Sequence, residues 1–147
     1  MDKDKVQAAI PPYRIFDHTA DLGVEIYGRN ERELFCNAAF ALFDIVTDVS
    51  LVHVTGEWEV FAEGGDLEEL LVNFLREILY MCSGEGLLLK EFMISEMDNF
   101  HVKGTARGEP FIHGRHCMNI EIKAITYHRV EIRKASGTWV GRVIFDV

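Results

Sequence analysis

NERELFCNAAFALFDIV, residues 30–46, is the stretch on which the fold turns. Phe35, Ala38, Ala39, Leu42, Phe43 and Val46 recur at helical spacing and form one apolar face. Asn30 can cap this run, and Glu33 completes a capping box, so a helix starts here. The same logic returns in GDLEELLVNFLREILYMCSG, residues 65–84. Asp66 caps, Glu69 completes the box, Gly84 ends the run, and Leu67, Leu70, Leu71, Phe74, Ile78 and Leu79 make the stripe.

On either side of the two helices the apolar period drops to two. Tyr13 to Phe16 reads as a strand, and Leu22 to Tyr27 as a second, with Leu22, Val24 and Ile26 alternating. HVTGEWEVFA alternates through Trp58, Val60 and Ala62, and LLLKEFMIS and NFHVKGTAR form a hairpin across Met97-Asp98. GEPFIHGRHCM, residues 108–118, reads as a loop. IEIKAITY, RVEIRK and TWVGRVIFDV read as three strands, the last two joined across Ala135-Ser136-Gly137. The pattern predicts one α+β domain over residues 13–147, its two amphipathic helices covering one face of a mostly antiparallel sheet. Residues 1–12 read as a flexible polar lead-in closed by Pro11-Pro12.

The 147 residues suffice for one compact core. With 48% apolar and 27% charged residues, the composition is that of a soluble globular domain. No apolar run approaches the roughly 20 residues that span a bilayer, and MDKDKVQAAIPPY has no secretory signal pattern. Cys36, Cys82 and Cys117 are an odd, widely spaced set without a CxxC pair, which fits a reducing, cytoplasmic setting. Cys36 and Cys82 fall within the helical patterns and read as small buried residues. A net charge of −9 argues against a broad grip on RNA. It suits a metal ion, a basic protein surface or an indirect role in RNA chemistry.

Polar chemistry concentrates in FDHTADLGV, residues 16–24. Asp21, and Asp17 more strongly, read first as turn residues with ligation as the alternative, and His18 as a cap, a packing residue or a ligand. At the other end RVIFDV stays strand-like to the last residue, so Asp146 and the α-carboxylate of Val147 form a compact set of hard oxygens. If these met Asp21, three anions would repel unless a cation stood between them, and oxygen ligands favour Ca²⁺, Mg²⁺ or Mn²⁺. In EIKAITYH, residues 121–128, alternation puts Lys123, Ile125 and Tyr127 on one face and Ile122, Ala124 and Thr126 on the other. Lys123 reads first as a solvated strand lysine and otherwise as a contact for a phosphate or an acidic partner, and His113, Arg115 and His116 add positive charge nearby. Phosphate-loop, dinucleotide-loop, HExxH and GxSxG motifs are absent from the sequence.

Taken in order, FDHTADLGVEIYG, ERELFCNAAFALFDIVTD, GDLEELLVNFLREILY, IKAITYH and the terminal IFDV resemble the archease family. The resemblance implies a small cytosolic α+β protein that is not itself an enzyme. It implies an activator of the RtcB-type RNA ligase, promoting guanylylation of the ligase with GTP and its multiple turnover in tRNA splicing or RNA repair. RNA would be met through the ligase. The resemblance further implies a divalent metal, Ca²⁺ above Mg²⁺ or Mn²⁺, held by Asp21, Asp146 and Val147, and a functional lysine at Lys123. Two other classes stay open on the residues alone. One is a metal-assisted phosphoesterase using the same carboxylates with His18 or His128 as base. The other is a general chaperone or modulator of nucleic-acid enzymes.

Overall fold

The computed structural model describes residues 10–17 and 21–147, without the side chain of Asp17. These residues form strands β1 (Tyr13–Asp17) and β2 (Leu22–Gly28), helix α1 (Glu31–Val46), β3 (Gly56–Glu63) and helix α2 (Leu67–Ser83). Strands β4 (Leu87–Met97), β5 (His101–Pro110), β6 (Ala124–Ala135) and β7 (Thr138–Asp146) follow. The class is α+β, as the patterning predicts, but the strands divide between two antiparallel sheets. One has the order β1-β2-β7-β6 and the other β3-β5-β4.

The expectation of helices on one face of one sheet is therefore corrected. Each helix touches both sheets: α1 packs on β2 and β4, α2 on β3 and β6, and the helices touch each other. A helix buried from two sides needs a wide apolar arc. In α1, Leu34, Ala41 and Ile45 are buried along with the stripe residues read from the sequence. The inner faces supply Val24, Ile26, Ile125, Val143 and Phe145 from one sheet and Val60, Ala62, Ile94, Val102 and Ala106 from the other. Between the helices, the rings of Phe35 and Phe74 meet at 5.4 Å. Fully burying side chains of this size is worth about 1.5–3 kcal/mol each.

Both helix starts follow the capping signal with one variation. Asn30 Oδ1 accepts from Glu33 N at 2.8 Å, and Asp66 Oδ1 from Glu69 N at 2.8 Å. The returning carboxylates reach one residue further back, Glu33 to the amide of Arg29 and Glu69 to that of Gly65. At the end of α2, Gly84 keeps a right-handed backbone (φ −91°), and a β-carbon on it would strike the ring of Tyr80. The left-handed residue of that turn is Gly86, at φ 71°.

The last three predicted strands are two. β6 runs unbroken through His128, carrying a bulge where RVEIRK was read as a new strand. Thr126 pairs with Ile144 and Glu131 with Arg142, so Tyr127 to Val130 stand against Val143 alone. Arg129 in this bulge has φ 63°. The hairpin turn that follows is left-handed at Ser136 and Gly137, as the sequence suggests.

Candidate functional site

Asp21 directly precedes β2, and Asp146 is the last residue of β7, the central strand paired with both β2 and β6. Leu22 pairs with Phe145, so one further step along this antiparallel register brings Asp21 alongside Asp146. On the other flank Asp146 pairs with Ala124, and its carbonyl accepts the backbone amide of Lys123 at 2.7 Å. The expected residues from three distant parts of the chain therefore share one end of one sheet. Val147 follows, half-buried, its side chain packed against the core.

Alternation decides which way these groups face. Phe145, Val143 and Ile125 are fully or almost fully buried on the inner side. Asp146, Ile144 and Arg142 therefore point outward, and Asp21 and Asp146 are both half-buried. Among the described residues, no lysine, arginine or histidine forms a salt bridge with either carboxylate. Two neighbouring carboxylates and a chain end, without a cationic partner in that set, have the donor chemistry of a hard divalent cation. Among the described residues, no three His, Cys, Asp or Glu side chains gather. The set expected here has only two such side chains, its third group being the α-carboxylate. His18 and the side chain of Asp17 lie outside the described residues.

Lys123 lies just before β6, outside the strand in which the alternation placed it, and is exposed. Ile122, assigned to the face opposite Ile125, is buried in the same core. Strand alternation does not extend back across residues that precede the strand. His128 sits exposed in the β6 bulge.

The positive charge expected from the loop is spent internally. Arg115 donates both terminal amines to the buried Glu109 carboxylate, at 2.9 and 2.7 Å. The same carboxylate accepts the amide of His53 at 2.7 Å and faces His116 Nε2 at 2.9 Å. His116 Nδ1 accepts the amide of Ile112 at 2.8 Å, which leaves Nε2 as the protonated donor of the neutral ring. The Arg115 hydrogen bond, assisted by those of His53 and His116, holds Glu109 down to about 2 against burial. Only His113 of that trio stays exposed without a polar partner among the described residues.

The sequence reading missed a second charged cluster, on the outer face of the four-stranded sheet. Arg14, Glu25, Arg142 and Glu131 align across β1, β2, β7 and β6. The buried Glu25 accepts from the Tyr27 hydroxyl at 2.5 Å, Arg142 Nε at 2.7 Å and Arg14 Nε at 3.0 Å. Tyr27 first, then Arg142 and Arg14, lower its pKa to about 2 against burial. Arg142 also lies 4.2 Å from the centre of the Phe16 ring. That ring covers Gly23 so closely that a β-carbon there would lie 2.6 Å from it. Extending the alternation from Asp146 back to Arg142 is the signal that could have found this cluster. The cysteines carry no such chemistry: Cys36 and Cys82 are partly buried, and burial pushes the Cys82 thiol up to about 11.

Residues 13–147 match the model of the Archease protein family (MTH1598/TM1083). Protein archease of Methanopyrus kandleri is 37% identical over 92% of this chain and 99% of its own length. That of Pyrococcus furiosus is 38% identical over 90% and 96%. The solution structure of protein 1598 of Methanobacterium thermoautotrophicum matches with a TM-score of 0.79 at 38% identity, over 92% of this chain and 99% of that one. The crystal structure of a Thermotoga maritima archease, described as a possible chaperone, has the same fold, with a TM-score of 0.65 at 23% identity over 91% and 96%.

Proposed function

The chain belongs to the archease family, and from that premise we propose that it activates an RtcB-type RNA ligase by promoting guanylylation of the ligase with GTP. The observation that carries the reading is the juxtaposition of Asp21, Asp146 and the chain end at one end of a sheet, beside Lys123. Asp21, Asp146 and the Val147 carboxylate would hold a divalent cation, Ca²⁺ by preference. Such an ion would neutralise three crowded anions and offer open coordination positions to a partner or substrate oxygen. The chain's own residues keep those oxygens in place: β7 is braced on both sides, and Val147 is anchored by its side chain. Lys123 would present its ammonium group beside them to an acidic or phosphorylated group of the ligase complex. An overall charge of −9 complements a basic ligase surface. RNA would be engaged through the ligase, in tRNA splicing or repair.

The test is a ligase-guanylylation assay with GTP and Mn²⁺, run beside calorimetric Ca²⁺ titration of the activator. Wild-type protein should raise ligase–GMP formation and turnover. Asp21→Ala and Asp146→Ala should each weaken ion binding and activation together, by about tenfold or more for one charge-assisted contact worth about 1.5–3 kcal/mol. Activation by both variants at the wild-type level would sink the metal reading. RNA cleavage by the protein alone, lost in Asp21→Ala, would point to a phosphoesterase instead. Equal help to unrelated enzymes would point to a general chaperone.

A further inference from the structure

On the outer face of the four-stranded sheet, the β6 bulge and β7 enclose a cleft of about 380 Å³ lined by Phe16, Arg129, Val130, Glu131, Arg142 and Ile144. Two features set it apart from an ordinary sheet surface. Arg129 is held at φ 63°, a conformation that costs a bulky residue energy and recurs where a bulge aims a side chain at a ligand. Arg142 uses Nε on Glu25 and its flat face on Phe16. Its position is thereby locked, and its terminal amines make no hydrogen bond within the described residues.

We propose that this cleft binds a phosphate group, carried by a nucleotide or by an RNA end. The guanidinium forks of Arg129 and Arg142 suit tetrahedral phosphate oxygens. Glu25 neutralises part of the Arg142 charge, and Glu131 lines one wall and pairs with Arg133 at 3.7 Å, so the site is selective in geometry more than strong in field. Asp146 lies on the same face two residues beyond Ile144, about 7 Å along the strand at the usual rise per residue. A phosphate in the cleft would thus lie beside the proposed cation site. The cleft's place in ligase activation rests on the reading above, whereas phosphate binding itself can be measured without it.

The experiment uses the full chain in metal-free buffer. It is titrated with inorganic phosphate, GMP and a short RNA bearing a 3′-phosphate, with guanosine, the 3′-hydroxyl RNA and an acidic peptide as controls. Arginine side-chain Nε–Hε resonances and calorimetry are followed. The phosphate-bearing ligands should shift the Arg129 and Arg142 signals and the controls should not. The tighter of GMP and the phosphorylated RNA identifies the source of the phosphate. Arg129→Gln should weaken binding by about tenfold, the effect of one charge-assisted hydrogen bond. Glu131→Gln should strengthen it. Unshifted arginine signals with every phosphate ligand, or wild-type binding by Arg129→Gln, would overturn the proposal. So would response to an acidic peptide alone, which would make the cleft a protein contact. Wild-type guanylylation measured in parallel keeps the two readings apart: phosphate binding without activation removes the activator reading and leaves this one standing.

Discussion

Lys123 has a main chain and a side chain that do different work. Its amide closes a hydrogen bond to Asp146 and fixes where β6 meets β7, while its side chain is exposed. A substitution that spares the amide therefore separates structure from function. Lys123→Ala should leave stability within about 0.5 kcal/mol of wild type, as for most surface changes. Ligase activation should fall by about tenfold, the loss expected for one charge-assisted contact. Thermal melting beside the guanylylation assay decides, and a large fall in melting temperature would make Lys123 a structural residue. Asp21 and Asp146 were legible in the sequence because acidic residues at a strand start and a chain end stand out. For Arg142 the alternation from Asp146 marks only the face it shares, not what it meets there. Its role comes from Glu25 and Phe16, far away in the chain.

β7 gives the chain end its geometry. It is paired on both sides along its length, and Val147 continues it with a side chain set against the core. On the proposed reading, the position of the α-carboxylate just beyond β7 matters more than the identity of the Val147 side chain. Val147→Ile should bind Ca²⁺ and activate the ligase as wild type does. A short tail added after Val147 turns the carboxylate into an amide and should weaken both by about tenfold or more, like Asp146→Ala. Calorimetry on the two proteins settles the point, because a strand end that merely completes the sheet would tolerate the tail. Helices and most strands were legible from period and caps. The bulge of β6 was not: Tyr127 to Val130 carry no break signal, and only the register against Val143 reveals them as extra residues.

Across the whole molecule, two buried carboxylates tie distant segments together. Glu25 joins β1, β2 and β7 through Arg14 and Arg142, and Glu109 joins the loop after β5 to His53. Both have folded pKa values of about 2 against an ordinary 4.5. A depressed carboxyl stabilises the fold fully above its unfolded pKa and loses that contribution as pH falls to its folded value. Stability should therefore decline between about pH 4.5 and 2, and Glu109→Gln should flatten part of that decline while lowering stability at neutral pH. Chemical denaturation as a function of pH measures both, and an unchanged acid slope in Glu109→Gln would show that the clamp does not link folding to protons. The order of residues alone was enough for the α+β class, both helices with their caps, and the acidic residues placed at the ends of strands. These follow from local periodicity and hydrogen bonding, which a short window contains. The division of the strands into two sheets, with the helices touching both, emerged only from the folded arrangement. So did the inward turn of Arg115 and His116 to Glu109, and the register that brings Asp21 alongside Asp146. Each of these depends on pairing between residues far apart in the chain, where the free energy comes from burial and charge satisfaction that no local pattern encodes.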